Sequence, residues 1–239
     1  MAERHIVGLG GGAEPEQWAR MRDHVLRLTG KERPRVLCVP TAMGDDDRAI
    51  AGTFEHYAAV AVVSVLRVFP WPPENLRELV LSQDAIFVGG GNTANMLAVW
   101  RVHGIDELLR EAWEEGIVLH GGSAGMICWF EAGVTDSFGP RLEGMDCLGF
   151  LAGSACPHYD GEEQRRPRYR ELVDGGFPEG IAAEDGVGLH YVGTELHEAV
   201  SMRDGARAWW VEPCLGGGYH DKAISPRRLL SRPTTASVR

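Results

Sequence analysis

The chain is 239 residues long, with 44% apolar and 24% charged residues. That is enough apolar material for a sizeable core, and it excludes wholesale disorder and a disulfide-stapled miniprotein. Acidic residues outnumber basic ones, 34 against 24, for a net charge of −10. A nucleic-acid backbone or an anionic membrane surface is therefore not the expected partner, since both need clustered positive charge. Five scattered cysteines (Cys38, Cys128, Cys147, Cys156, Cys214) never fall in a C-x-x-C spacing, so neither a disulfide framework nor a structural zinc site is expected. With no signal-peptide core and no apolar run of spanning length, the expected compartment is the cytoplasm.

In chain order, His5 to Leu9 and Val36 to Val39 read as buried strands. Between them, Glu16 to Leu28 places Trp18, Met21, Val25 and Leu28 at helical spacing. A second helix is expected over Asp47 to Val60, a strand over Val62 to Val68 and a short helix over Leu76 to Ser82. Ala85 to Val88 is a strand running into Gly89-Gly90-Gly91; Thr93 to Trp100 and Ile105 to Glu115 are helices, and Ile117 to Leu119 is again a strand. Strands alternating with helices imply right-handed crossovers, so the predicted fold is α/β, a mostly parallel sheet flanked by helices. Beyond Gly149, Val187 to His197 and Ala208 to Val211 read as a C-terminal antiparallel edge or hairpin. Residues 1–224 are expected to form a single domain, and 225–239 a mobile tail.

The segment Ile117 to Trp129 contains Gly121-Gly-Ser-Ala-Gly125, the G-x-S-x-G pattern of a nucleophile elbow. A sharp strand-to-helix turn tolerates only small neighbours and lifts the Ser123 hydroxyl above the sheet. It also aims the Ala124 N–H at a developing oxyanion. Phe87-Val-Gly-Gly-Gly-Asn-Thr93 has the same strand, glycine turn, helix order, and its glycines can supply a second donor. No Lys-Ser/Thr follows, so a P-loop is disfavoured. Gly8-Leu-Gly-Gly-Gly-Ala13 formally fits a dinucleotide fingerprint, but the next strand ends at Val39-Pro40-Thr41 with no carboxylate for a ribose. It is expected to be a glycine loop at the C-terminal edge of the sheet.

A serine nucleophile needs a base and an orienting acid. His158, in Cys156-Pro-His-Tyr-Asp160, stands among polar residues after a strand-like stretch. His120 lies on the strand leading to Ser123, and His190 and His197 belong to the late hairpin. For the acid, Asp136 competes with Glu131 and Glu143. The short interval between Ser123 and Asp136 argues against an ordinary α/β-hydrolase, whose acid follows a later strand.

Taken together, Phe87 to Thr93, Gly121 to Gly125, Asp136, Pro157 to Asp160 and Gly180-Ile-Ala-Ala-Glu-Asp-Gly186 resemble, in order and spacing, the dipeptidase E and cyanophycinase family of serine peptidases. The resemblance spans roughly residues 5 to 212. It implies a fold related to class I glutamine amidotransferases, with Ser123 as nucleophile, His158 as general base and Asp136 as its orienter. The oxyanion would rest on N–H groups of Gly90, Gly91 and Ala124. Arg168-Tyr-Arg-Glu-Leu172 is similar to the stretch whose arginine pairs with a substrate aspartate, which puts Arg170 in that role; Asn92 joins it as a candidate substrate-binding residue. The Glu184-Asp185 pair is expected to order the loop behind the site.

The expected activity is hydrolysis of small peptides, as in Asp-X dipeptides, through an acyl-enzyme, with no metal and no organic cofactor. The expected partners are a small peptide substrate and, at most, a second copy of the chain in a homodimer. The competing readings are a cyanophycinase-like or other amide hydrolase, and a non-catalytic protein of the same fold that holds a small anion.

Overall fold

The computed structural model describes residues 3–12, 14–214 and 216–230. The first half of the chain alternates strand and helix: β1 (His5–Leu9), α1 (Pro15–Leu28), β2 (Arg35–Val39), α2 (Asp47–Tyr57), β3 (Val62–Val65), α3 (Leu76–Leu81), β4 (Ala85–Val88), α4 (Thr93–His103), α5 (Ile105–Glu114) and β5 (Val118–Gly122). Strands β1, β5, β4, β2 and β3 are mutually parallel neighbours in an eight-stranded sheet. All residues of β1 and β5 are buried, as strands covered by helices on both faces must be.

Helix α1 starts where Pro15 takes the first helical position and the Gln17 side chain accepts from the Glu14 N–H at 3.1 Å. It buries Met21 and Val25 against Val7, Leu9, Cys38, Tyr57 and Val118 on one side of the sheet. On the other side Ile6, Ile86 and Leu119 meet Leu97, Trp100, Leu109 and Trp113 of α4 and α5. The helix and strand positions up to Leu119 thus follow the expected order, except that β3 stops at Val65.

After β5 the chain departs from expectation. The helix following Ser123, α6 (Ala124–Ile127), has only four residues. The chain then enters a second, six-stranded sheet that the sequence reading did not anticipate. It comprises β6 (Phe130–Thr135), β7 (Glu143–Asp146), β8 (Leu151–Cys156), β9 (Gly180–Ala183), β12 (Ala208–Pro213) and β13 (Tyr219–Ile224), ordered β13-β12-β9-β8-β6-β7. Its strands are short and rich in Gly, Ala and Ser, so neither β-branched runs nor a clean alternation announces them. Helix α7 (Arg165–Asp174) covers this sheet through Tyr169 and Val173, packed on Val134, Cys156 and Val211.

The late hairpin is present as β10 (Val187–Val192) and β11 (Glu195–Ser201), added antiparallel to β1. Ala208–Pro213 is antiparallel as expected, but in the second sheet. The beginning of the expected tail is ordered: β14 (Arg227–Arg228) pairs parallel with β11, and Leu229 is buried. The rest of that tail, 231–239, lies outside the described residues.

Candidate functional site

Ser123 sits at the end of β5 with φ 56° and ψ −113°, a backbone conformation that a non-glycine residue adopts only under constraint. Its N–H donates to Leu9 O at 3.1 Å, and its carbonyl accepts from Met126 N at 2.9 Å and Ile127 N at 3.1 Å. The turn is held against β4 so closely that a Cβ on Gly125 would lie 2.1 Å from Val88 O. This is the physical content of the Gly-x-Ser-x-Gly spacing: the neighbours are small because backbone meets backbone.

The β4–α4 turn passes beside the serine. A methyl group on Gly90 would stand 3.3 Å from Ser123 Cβ. Among the described residues, the N–H groups of Gly90, Gly91 and Ala124 donate to no protein acceptor, so three donors stand free around this turn. Asn92, the candidate substrate-binding residue, is hydrogen-bonded within the protein. Its Oδ1 caps α4 by accepting from Asn95 N at 2.8 Å, and its Nδ2 donates to Ser137 O at 2.9 Å. Both polar ends are used by the scaffold.

His158 follows β8 and also has a positive φ, 52°. Its N–H donates to Gly10 O at 2.8 Å. Consecutive carbonyls at the end of β1, those of Leu9 and Gly10, therefore anchor Ser123 and His158. The Nδ1 of His158 lies 2.9 Å from Asp185 Oδ1, with the two side chains 20% and 23% exposed. A neutral imidazole that donates from Nδ1 to Asp185 keeps a lone pair on Nε2, the atom that can take a proton. Among the described residues the Ser123 hydroxyl makes no hydrogen bond, so the two groups are not in contact in this state. Such contacts commonly tighten only with substrate bound.

The carboxylate in contact with His158 is not the expected Asp136. Asp136 follows β6 in an exposed loop that is tied to α4 through Ser137, and its carboxylate makes no hydrogen bond or ion pair among the described residues. The carboxylate that the fold brings to the imidazole is that of Asp185. The Asp185 N–H donates to Asp160 Oδ1 at 2.8 Å, and Asp160 is paired with Arg203. Glu184 does order the loop, accepting from Arg207 N and Trp209 Nε1 at 2.8 Å each. The N-terminal glycine run closes over the pair: a Cβ on Gly11 would fall 2.0 Å from His158 Cε1, and one on Gly12 would fall 2.7 Å from Asp185 Oδ2. The glycines that mimic a dinucleotide fingerprint make room for an imidazole and a carboxylate.

Arg170 is engaged within the protein. Its guanidinium pairs with Asp221 of β13, with Nε at 2.9 Å from Oδ2, and lies over the Tyr219 ring at 4.8 Å. Arg166 reaches the same carboxylate at 3.6 Å. The fork that was to receive a substrate carboxylate is occupied by one from the protein.

A cavity of about 410 Å³ opens between α1, α2 and the C-terminal ends of the central strands. Trp18, Met21, Tyr57 and Phe87 make its walls largely apolar, and Gly90 forms its border toward Ser123. His120, at its floor, is buried with Nε2 unpaired, and burial pushes its imidazole down to about 3. It is a neutral wall residue, not a base. The one cation at the cavity, Arg22, is held by Asp23 and by His56 O.

No helix among the described residues is long and apolar enough to cross a membrane. The chain is 44% identical over 213 residues to the uncharacterized peptidase YgaJ of Bacillus subtilis (strain 168), covering 87% of this chain and 92% of that protein. Among solved structures, a peptidase from an acI-B1 actinobacterium superposes with a TM-score of 0.65 at 16% identity, covering 93% of this chain and 98% of that one. A candidate peptidase E protein from Listeria monocytogenes EGD-e superposes with a TM-score of 0.60 at 16% identity, covering 94% and 100%. At that identity the two structures speak for the fold alone. The model of peptidase family S51 matches residues 6–199, from β1 into β11, and with it this chain belongs to peptidase family S51.

Proposed function

We propose that the chain is a serine-type peptidase working through an acyl-enzyme, with Ser123 as nucleophile, His158 as general base and Asp185 as the group that orients the imidazole. The observation that carries the reading is the His158–Asp185 pair at 2.9 Å, with Ser123 and His158 anchored through their N–H groups on the consecutive carbonyls of Leu9 and Gly10. In the forward step Ser123 Oγ attacks the scissile carbonyl carbon while His158 Nε2 takes the hydroxyl proton. The negative charge moves onto the carbonyl oxygen, where free N–H groups of Gly90, Gly91 and Ala124 are available to hold it. Collapse breaks the C–N bond, and the proton on Nε2 goes to the leaving amine. Water, deprotonated by the same nitrogen, then attacks the acyl carbon, the bond to Ser123 Oγ breaks, and Nε2 returns the proton to that oxygen.

On specificity, the cavity beside Gly90 favours a bulky apolar residue next to the scissile bond. The preference for an N-terminal aspartate loses its carrier, because Arg170 already holds Asp221. A substrate of small-peptide size fits a cavity of this volume. The free cysteines among the described residues accord with action in the reducing cytoplasm.

The test is labelling with a fluorophosphonate, followed by hydrolysis of a dipeptide panel that includes Asp-Leu, Leu-Leu and Ala-Ala. Labelling at Ser123 that vanishes in Ser123→Ala, together with loss of turnover, is the expected result. Full turnover by that variant would overturn the nucleophile, and faster cleavage of Asp-Leu than of Leu-Leu would restore the aspartate preference.

A further inference from the structure

Away from Ser123, helix α1 and the β10–β11 hairpin bury a group of side chains that the proposed reaction does not use. His24 on α1 is 7% exposed and His190 on β10 is 4% exposed. His24 Nε2 and His190 Nδ1 are both buried without any hydrogen-bond partner. Their rings meet edge to face, 5.8 Å apart, and Glu198 Oε1 on β11 lies 3.9 Å from His190 Nδ1. One ligand atom from each of His24, His190 and Glu198 falls within 4.8 Å of the others.

An ordinary core histidine satisfies both ring nitrogens, because a buried polar atom left unpaired costs about 1–3 kcal/mol. Here two such atoms are orphaned, on rings that meet each other and a carboxylate in one cluster. Two unpaired imidazole nitrogens cannot satisfy each other when both present lone pairs; a cation between them satisfies both.

We propose that His24 Nε2, His190 Nδ1 and Glu198 form a binding site for a divalent transition-metal cation of zinc-like preference, which clamps α1 to the β10–β11 hairpin. Two imidazoles and a carboxylate are an established donor set for such a cation, with a fourth position for water. The ligand atoms must draw in to roughly 3.4 Å, the edge of a tetrahedron with metal–ligand bonds near 2.1 Å. Side-chain rotation supplies a movement of that size.

The surroundings are those of a ligand set. His190 Nε2 lies 3.1 Å from His5 Nδ1, so a proton on Nε2 can be donated outward while Nδ1 keeps its lone pair for the metal. Both Glu198 oxygens accept from Arg227 at 2.7 Å, which fixes the carboxylate and leaves each oxygen a second lone pair. The position has a structural consequence. β10 begins two residues after Asp185, and α1 carries Trp18 into the apolar cavity. A metal here would stiffen two elements that frame the candidate active site without touching the reacting atoms.

The experiment uses the full chain without a polyhistidine tag, stripped with a chelator and titrated with Co²⁺ and then Zn²⁺. The expected result is one equivalent of Co²⁺ giving the visible d–d absorption of a tetrahedral site, its displacement by Zn²⁺, and a rise in Tm with Zn²⁺. Both His24→Gln and Glu198→Gln should weaken the binding by about 100-fold or more. Glu198 is partly exposed, so its variant keeps the test valid if the His24 variant fails to fold. Absence of the Co²⁺ absorption in the wild type, or equal binding by wild type and Glu198→Gln, would overturn the proposal.

Discussion

His158 Nδ1 and Asp185 Oδ1 are 2.9 Å apart, although 27 positions separate them in the chain. The carboxylate reaches the imidazole because β8 and β9 are parallel neighbours whose ends lie side by side. Asp136, only 13 positions from Ser123, is not the imidazole's partner. Asp185→Asn should therefore lower kcat by about 10²–10⁴, the cost of a disoriented base. Asp136→Asn should stay within about threefold of wild type. A kcat comparison on one dipeptide decides between them, and the reverse order would return the role to Asp136.

Gly11 is the tightest glycine around the imidazole, since a Cβ there would overlap His158 Cε1 at 2.0 Å. Gly11→Ala must push the ring away, and φ is +130° besides. Activity should fall by at least about 10²-fold. Gly176→Ala is a matched control: its φ is +96°, but its Cβ would meet nothing within 4 Å. It should lose about 1 kcal/mol of stability from backbone strain and keep its kcat.

The Arg170–Asp221 pair makes an opposite claim to that for a substrate-binding arginine. Arg170→Ala should cost about 1–2 kcal/mol in urea denaturation, because Asp221 is left largely buried with only Arg166 nearby. The ratio of kcat/KM between Asp-Leu and Leu-Leu should not change. A selective rise in KM for the aspartate substrate would show that the arginine leaves Asp221 to meet the ligand.

Gly52 lies on α2 at the wall of the apolar cavity, and a Cβ there meets only open space. Gly52→Leu should raise Tm, since glycine in a helix interior costs about 1 kcal/mol relative to a good helix former. It should also raise KM for Leu-Leu more than for Ala-Ala. Equal effects on both substrates would place the cavity outside the substrate path.

Buried histidines set the acid limb of stability. Burial lowers His120 to about 3 and His24, His56 and His190 to about 4, against an ordinary value of 6.5. The unfolded chain therefore binds more protons than the folded one as pH falls below 6.5, and stability drops with it. For fully buried His120 the loss by pH 5 is about 2 kcal/mol. Urea midpoints should fall from pH 7.5 to pH 5, and less steeply in His120→Gln. A midpoint flat over that interval would contradict the assignment.

The features legible in the residues themselves share one property: their physical requirement is local. Ser123 must turn sharply beside β4, so Gly121, Gly122, Ala124 and Gly125 are small and adjacent to it. The strand–glycine–helix order around Gly90 is equally compact, and apolar periodicity marks α1, α4, α5 and the parallel strands. Asn92 is the instructive exception. An Asn just before a helix is a local capping signal, whereas whether its Nδ2 meets a ligand or Ser137 is not encoded locally.

Which carboxylate orients His158, and whether Arg170 is free, depend on how the six-stranded sheet lies beside the eight-stranded one. That arrangement arises from short strands of small residues with little periodic signature, paired across dozens of positions. The sequence by itself determined the serine turn, the glycine turn beside it and the parallel core, because adjacent residues carry those constraints. Only the tertiary structure decided which carboxylate meets His158, the arginine's partner, the apolar cavity and the meeting of His24, His190 and Glu198. Those are distances between segments that no local spacing encodes.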